Sequence, residues 1–216
     1  YVVDTLEDAI ADDGKTSLRE ALAWAQDGDS VTFADEILGG SILLYSTLVI
    51  SKEVYINGAP TGEPECGITL KALGGLTMLE VTGDVRDEFG GAVLQGMVID
   101  GEHIMGVSDS ARGLLNHGNL TLVDMEFRRL DIHGEYGSTA VAAIYNNGTL
   151  HASDVMINDS SAEGEDGDPL VGPGDAFIVY NGGSGEMHLV NFLMEGNVLQ
   201  GGDAAPAGDG EYHSSG

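Results

Sequence analysis

The chain has 216 residues, of which 36 are Asp or Glu and only 8 are Lys or Arg, giving a formal net charge of -28. Phosphate contacts depend on Lys and Arg, so this charge excludes nucleic acid and an anionic membrane surface as expected partners. Apolar residues make up 42% of the chain, too many for a disordered acidic protein, yet no run reaches the roughly 18 residues needed to span a bilayer. We therefore expect one folded domain that does not insert into a membrane.

The first predicted element is a short helix over about residues 18–26. Ser17 and Glu20 have the spacing of a capping box, in which the serine accepts from a free amide and the glutamate reaches back. Gly28 supplies a stop. The segment also carries an apolar stripe, formed by Leu18, Leu22 and Ala25. We expect residues 1–30 to form an N-terminal cap with one buried helical face.

From residue 31 onward the chain alternates apolar and polar residues in short segments separated by Gly, Asn and Asp. This pattern predicts strands, and no further helical periodicity of any length follows. The first six predicted strands are 31–34, 41–44, 47–50, 54–56, 68–71 and 77–81.

Internal repetition predicts the architecture. Residues 118–127 align with 148–157 at an offset of 30, residues 186–194 follow at an offset of 37, and residues 92–99 align upstream at an offset of 28. Two aligned columns are apolar in every copy: Met97, Met125, Val155 and Phe192, and Ile99, Phe127, Ile157 and Met194. Such columns are the core of a solenoid, whose coils bury their inward side chains only against their neighbours.

Coils of this length with several short strands favour an all-β fold, a right-handed single-stranded parallel β-helix with the short α-helix as its N-terminal cap. A further column of Asn116, Asn146 and Asn181 is expected to hydrogen-bond along the stack at a coil corner. The predicted organisation is a cap at 1–30, coils at 31–200 with an acidic insertion at 159–175, and a tail or junction at 201–216.

The segment Asp-Asp-Gly-Lys-Thr-Ser-Leu-Arg-Glu-Ala-Leu at 12–22, followed by Gly-Asp-Ser-Val-Thr-Phe at 28–33, resembles the "CSLREA" N-terminal signature of bacterial secreted β-helix proteins. These include the polymorphic outer-membrane and autotransporter-like surface proteins, whose Gly-x-Ile-x-Asn-x-Gly-x-Leu-x-Leu repeat is similar to residues 143–150. Thr16 stands where that family usually has cysteine. The resemblance implies a β-helix and export, and it implies no particular activity.

One outward column carries Asp100, Arg128, Asn158 and Glu195 on the expected solvent face. In one interpretation Arg128, with Arg129 beside it, binds a sugar carboxylate; in the other it forms a surface ion pair. A β-helix carbohydrate enzyme needs an acid and a base on one face, and the nearest group adds Asp131, His133 and Tyr136. The candidate catalytic residues are Arg128, Arg129 and His133, none of which lies in a motif of fixed spacing.

A second outward column offers oxygen ligands from Asp124, Asp154 and Asn191. Two neighbouring carboxylates repel unless a cation or donors lie between them, so one interpretation is bound calcium and the other is bonding to local backbone amides. The predicted insertion adds carboxylates that suit calcium on a flexible loop or form a solvated acidic loop: Glu163, Glu165, Asp166 and Asp168. The single cysteine, Cys66, excludes a cysteine-based zinc site. Calcium is thus the one expected cofactor.

The expected function is a secreted or cell-surface segment of a larger bacterial polypeptide, an adhesin or passenger scaffold whose loops bind a host or environmental surface ligand such as carbohydrate. The acid excess suits a saline or calcium-rich extracellular setting, where cations relieve self-repulsion. The alternative is a carbohydrate-active β-helix enzyme, namely a polysaccharide lyase, epimerase or glycoside hydrolase. Long-range repulsion by a charge of -28 disfavours polyanionic substrates for such an enzyme.

Overall fold

A computed structural model describes residues 1–59, 67–72, 76–83, 85, 90–102, 112–134, 140–166 and 174–203. Over these residues the protein is 54% strand and 6% helical, and its parallel sheets curl into a half-barrel. The helix α1 is Leu18–Trp24, and a 3-10 turn covers Asp35–Ile37. The strands are β1 Val2–Val3, β2 Ser30–Phe33, β3 Ser41–Leu44, β4 Leu48–Ile50, β5 Tyr55–Asn57, β6 Ile68–Ala72, β7 Thr77–Val81, β8 Ala92–Gln95, β9 Met97–Asp100, β10 Arg112–Asn116, β11 Asn119–Arg128, β12 Asp131–His133, β13 Ala140–Asn146, β14 Thr149–Asn158, β15 Ser161–Glu163, β16 Ala176–Asn181, β17 Glu186–Glu195 and β18 Val198–Gln200.

The strands form three parallel sheets. The ten-stranded sheet contains β1, β2, β3, β5, β6, β8, β9, β11, β14 and β17; the five-stranded sheet runs β16-β13-β10-β7-β4; and the three-stranded sheet runs β12-β15-β18. Neighbouring strands come from successive passages of the chain, which we call repeats. Leu120 pairs with Ala92 of the preceding repeat and with Leu150 of the following one. Leu150 in turn pairs with Met187 of the next repeat. The predicted parallel all-β class and the offsets of 28, 30 and 37 are confirmed.

The first six predicted strands are also confirmed, as β2 to β7, each within one residue at either end. Their alternation places one set of side chains in the core. The aligned apolar columns are buried through the middle repeats, as at Ile99, Phe127 and Ile157. At the last repeat the same column reaches Met194, which is 51% exposed.

The helix closes the N-terminal end of the stack. The hydroxyl of Ser17 accepts from the backbone N–H of Glu20 at 3.1 Å, and the Glu20 carboxylate accepts from the Ser17 N–H at 2.9 Å, which confirms the capping box. The helix ends at Trp24, two residues before the predicted limit. The Lys52 ammonium caps the helix C-terminus by donating to the backbone carbonyls of Leu22, Ala23 and Ala25.

The predicted asparagine column forms a hydrogen-bonded ladder that is buried at its first two positions and exposed at Asn181. Nδ2 of Asn116 donates to Oδ1 of Asn146 at 2.7 Å, and Nδ2 of Asn146 donates to Oδ1 of Asn181 at 2.7 Å. Asn116 and Asn146 are fully buried. The amides satisfy one another from repeat to repeat, as the sequence predicts.

The acidic insertion begins later than predicted. Residues Ser161–Glu163 form β15, which pairs in register with β12 and β18. The offset between repeats is 30 at the pair His133 and Glu163 but 36 at the pair Ala140 and Ala176. Six extra residues therefore lie between Glu163 and Ala176. Residues 167–173 of this stretch and residues 204–216 of the predicted tail lie outside the described residues.

Candidate functional site: the Asp100 cluster

The column predicted to carry Asp100, Arg128, Asn158 and Glu195 exists. Each of these residues pairs with the next in parallel register, and Lys71 precedes Asp100 in the same column. The expectation that the whole column faces solvent is wrong at Asp100, which is fully buried. Two arginines of the following repeat cover its carboxylate.

Arg128 and Arg129 converge on this carboxylate. Nε of Arg128 donates to Oδ2 of Asp100 at 3.1 Å, and Nε of Arg129 donates to Oδ1 at 2.9 Å, while Nη2 of Arg129 also contacts Oδ2. The backbone N–H of Glu102 donates to Oδ1 at 3.0 Å. Consecutive residues of a strand point to opposite faces, so the two arginines can meet only because the chain turns at Arg129, which has a φ of 53°.

A glycine allows the close approach of the two repeats at this corner. A Cβ added to Gly101 would lie 2.5 Å from the backbone oxygen of Arg129. The Gly101 N–H donates to the Arg128 carbonyl at 2.9 Å. Any larger residue here would push Arg129 away from Asp100.

Three further side chains complete what we call the Asp100 cluster. The Lys71 ammonium lies 2.7 Å from Oε2 of Glu102, and Nη2 of Arg129 lies 3.2 Å from the same oxygen. Nη1 of Arg128 lies 3.5 Å from Oε2 of Glu126. The cluster therefore comprises Lys71, Asp100, Glu102, Glu126, Arg128 and Arg129, and its formal charges cancel. The chain has only 8 Lys and Arg residues, and three of them pair with carboxylates in this cluster.

The electrostatics keep Asp100 ionised. Burial by itself raises the pKa of the Asp100 carboxyl, but the hydrogen bonds from Arg129 and the Glu102 backbone, with the charges of both arginines, lower it below its ordinary value. The Asp100 hydrogen bond in turn raises the pKa of Arg129. The Lys71 hydrogen bond is the main cause of a lowered pKa at Glu102.

This geometry limits what the two arginines can do chemically. A guanidinium that turned toward a substrate carboxylate would leave Asp100 buried without its partners, which is strongly unfavourable. The observed contacts are those of an ion-pair cluster that joins β6, β9 and β11. A catalytic role for Arg128 and Arg129 stays a prediction.

His133, the third catalytic candidate, lies at the end of β12 on the three-stranded sheet. Its Nδ1 is 3.0 Å from Oε2 of Glu163, and its Nε2 is 3.5 Å from Oδ2 of Asp131. Nε2 of Gln200 donates to Glu163 at 3.1 Å from the next repeat. His133 is thus held between carboxylates of its own sheet. The neighbouring candidate Tyr136 lies outside the described residues.

The residues of the second outward column, Asp124, Asp154 and Asn191, share a left-handed backbone conformation. These residues have φ values of 51°, 56° and 50°, and Gly96 occupies the same position one repeat earlier with a φ of 65°. Gly, Asn and Asp are the residues that tolerate this left-handed conformation best. Nδ2 of Asn191 donates to Oδ1 of Asp154 at 3.0 Å. The conformation accounts for the residue types in this column without a metal ion.

The remaining candidate metal ligands are dispersed. Glu163 lies in β15 beside His133, and Oδ1 of Asp166 accepts from the backbone N–H of Asp203 at 2.7 Å. Oε2 of Glu165 is buried and has no hydrogen-bond partner within the described part of the chain. Asp168 lies outside the described residues. Across the residues that the structure describes, no three His, Cys, Asp or Glu side chains are grouped to hold a metal ion. Calcium binding stays a prediction.

Sequence reasoning missed Glu102, Lys71 and the burial of Asp100. The available signal was the Arg128–Arg129 pair itself, because adjacent cations are costly in a chain that has so few unless both have acidic partners.

Comparison of this chain with protein-family models, with curated proteins and with solved structures finds no match in any of the three. Within the described ranges, no helix has both the length and the apolar character needed to cross a bilayer.

Proposed function

We propose that this chain is a right-handed single-stranded parallel β-helix that acts as a secreted or cell-surface scaffold, a passenger or adhesin segment of a larger bacterial polypeptide. The observation that carries the proposal is the register. Successive repeats form nine parallel residue pairs in the longest strands, as between Asn119–Arg128 and Thr149–Asn158. A stack of this kind extends a chain in one direction and presents its loops along its sides.

Variation between repeats supports a role in loop presentation. The pairing of β15 with β12 and β18 keeps its register, whereas six residues are added directly after Glu163. Insertions that leave a scaffold unchanged are typical of binding loops. We propose that the inserted stretch 164–175 contacts the surface ligand, and that this ligand is a carbohydrate.

The Asp100 cluster supports a scaffold over an enzyme. Both guanidinium groups that a carbohydrate-active site would use are held by a buried carboxylate. The cluster joins strands of three successive repeats, which is a structural contribution. The acid excess and the resemblance of residues 12–33 to the CSLREA signature support export to an extracellular, saline setting.

The test is a loop exchange. In the variant, residues 164–175 are replaced by the six-residue sequence 134–139 of the preceding repeat. We expect the wild-type chain to bind members of an array of neutral and acidic carbohydrates, and the variant to lose that binding while its circular dichroism and melting temperature stay close to those of the wild type.

The control substitution is Val49→Ser, because Val49 is an exposed residue near the closed end of the stack. The Val49→Ser variant should bind carbohydrate as the wild type does. Binding that survives the loop exchange would contradict the assignment of the loop. Release of product from an acidic polysaccharide by the wild-type chain would contradict the scaffold proposal and favour the enzyme.

Calcium enters this proposal as a stabilising ion at the acidic stretch that contains Glu163, Glu165, Asp166 and Asp168. Millimolar calcium should raise the melting temperature relative to EDTA, measured against sodium chloride at equal ionic strength. The loop exchange should abolish the difference, since it removes three of these carboxylates. Equal melting temperatures in calcium and in sodium chloride would contradict a stabilising role for calcium.

A further inference from the structure

Arg112 is a cation of the five-stranded sheet that pairs with no carboxylate of the described residues. It is the first residue of β10, and its Nε donates to the backbone carbonyl of Val141 at 3.1 Å. The N–H groups on its two Nη atoms have no acceptor within the described ranges, and neither atom is among the buried ones that lack a partner. Both Nη groups are therefore open to solvent. By contrast, Arg19 pairs with Asp8 at 2.7 Å.

Burial weakens the hydration of the Arg112 guanidinium. The side chain is only partly exposed. Burial is the main cause of a lowered pKa at Arg112, because it disfavours the charged form, and Tyr145 acts in the opposite direction. An anion beside the Nη groups would stabilise the charged form. The charge at this position therefore favours an anionic ligand, although the chain as a whole has a net charge of -28.

Aromatic rings continue from Arg112 across the sheet. The guanidinium carbon of Arg112 lies 5.9 Å from the centre of the Tyr145 ring, which is within the range of a cation–π contact. Tyr145 pairs in register with Tyr180, and the two ring centres are 5.2 Å apart. The ring of Phe177 lies 5.0 Å from that of Tyr180. We call these four side chains the Arg112 platform.

The platform lies on the outer face of the sheet. Tyr145 is only partly buried and stands between Ile144 and Asn146, which are both fully buried in the interior. Successive residues of a strand point to opposite faces, so Tyr145 points outward, as does its partner Tyr180. Outward side chains point away from the sheet and not along the stack. A further repeat would therefore lengthen this strip of rings without covering it.

The platform combines flat apolar rings with one open guanidinium, and an acidic sugar matches both features. A pyranose ring presents C–H groups that pack against aromatic rings, and a carboxylate accepts two parallel N–H donors from a guanidinium. A single carboxylate fits better than a row of them, because repulsion by the rest of the chain acts on each added charge. In addition, Glu80 lies two strands before Tyr145 in the same outward column and would repel a second carboxylate.

We propose that the Arg112 platform binds a saccharide that carries a single carboxylate, with a sugar ring on Tyr145 and Tyr180 and the carboxylate at the Nη groups of Arg112. The inference rests on the proposed carbohydrate-binding function and deepens it by naming the class of sugar. The inserted stretch 164–175 leads directly into β16, whose second residue is Phe177. The end of that stretch therefore adjoins the platform.

The probes are oligosaccharides that are neutral except for one terminal hexuronic acid, each paired with its methyl ester. Isothermal titration calorimetry measures their binding to the intact chain. The ester keeps the sugar rings and removes the charge, so we expect the free acids to bind at least tenfold more tightly than the esters.

The decisive variant is Arg112→Met, which keeps a long apolar side chain and removes a partly desolvated charge. It should bind the free acids at least tenfold more weakly and no better than the esters. Its melting temperature should be equal to or above that of the wild type, because no ion pair is lost. The matched control is Lys15→Met, which removes one positive charge at an exposed position of the N-terminal cap and should bind as the wild type does.

The contribution of the rings is tested at Tyr180. Tyr180→Ala should weaken the binding of acids and esters alike by at least threefold, whereas Tyr180→Phe keeps the ring and should bind as the wild type does. The control is Tyr45→Ala, because Tyr45 is 64% exposed and lies outside the platform. Equal losses in the alanine and phenylalanine variants of Tyr180 would contradict stacking on the ring.

Two patterns of results separate this inference from the proposed function. Failure of the wild-type chain to bind any carbohydrate of the array would contradict both. If the chain instead bound esters as tightly as free acids, with unchanged affinity in Arg112→Met, while the loop exchange still abolished binding, the platform would be overturned and the proposed function would stand.

Discussion

Nε of Arg129 donates a 2.9 Å hydrogen bond to Oδ1 of Asp100, a fully buried carboxylate that lies one repeat earlier in the chain. The bond links Asp100, the last residue of β9, to the residue that directly follows the neighbouring strand β11. Because the pairing removes a charge from water, each partner depends on the other.

Asp100→Asn should lower the free energy of unfolding by about 2–3 kcal/mol, because it leaves two arginines facing a neutral group at a buried position. Urea unfolding followed by circular dichroism measures the loss. The matched control is Glu102→Gln, which removes a carboxylate from the exposed side of the same cluster and should leave the unfolding midpoint close to that of the wild type. Equal losses in both variants would show that burial of Asp100 carries no special weight.

The contribution of Asp100 should also depend on pH. The pKa of its carboxyl is lowered in the folded protein, so its stabilising effect is complete above the unfolded value of about 3.9 and is lost as pH falls through the folded pKa. The difference in unfolding free energy between the wild type and Asp100→Asn should stay constant from pH 7 down to about 4 and shrink below it. A difference that grows on acidification would contradict the lowered pKa.

Asp154→Val should destabilise the protein by about 1–2 kcal/mol, because a β-branched residue is strained at a left-handed position. Asp154→Gly should be close to neutral, since glycine adopts a φ of 56° without strain. Thermal melts of both variants in EDTA isolate this backbone effect. If Asp154→Gly instead lost as much stability as Asp154→Val, the side chain rather than the backbone would be the important feature of the column.

Asn146→Ala should cost about 2–3 kcal/mol, because it removes a buried amide that hydrogen-bonds to Asn116 on one side and to Asn181 on the other. Asn181→Ala removes the exposed end of the same ladder and should cost about 1 kcal/mol or less. Denaturant unfolding of the two variants measures the difference. Similar costs at both positions would mean that the ladder is not cooperative along the stack.

The sequence predicts the parallel pairing because equivalent residues of successive repeats contact one another. Each repeat therefore needs the same type of residue at the same position. Phe127 and Ile157 must both be apolar, and Asn116 and Asn146 must both be amides, since each touches its equivalent. These contacts can therefore be recognised by aligning the repeats of the sequence.

Features that occur only once are harder to predict. The alternation of residues along the strand predicts which face Asp100 points to, but not that it is buried. Its burial depends on Arg129, which covers it from a left-handed backbone conformation that arginine seldom adopts. The acidic residues around Glu163 favour an insertion, although Glu163 lies in a regular strand. Local composition outweighed the column that joins it to His133.

The helix α1 and the Lys52 ammonium hold one end of the stack closed, whereas β17 has a neighbour on one side only. Fluctuations of a stacked fold begin where a layer has the fewest neighbours. Backbone amides should therefore exchange with solvent deuterium fastest in β17, more slowly in β14 and slowest in β11. Local opening in this protein has a direction, which runs from its last repeat toward its helix.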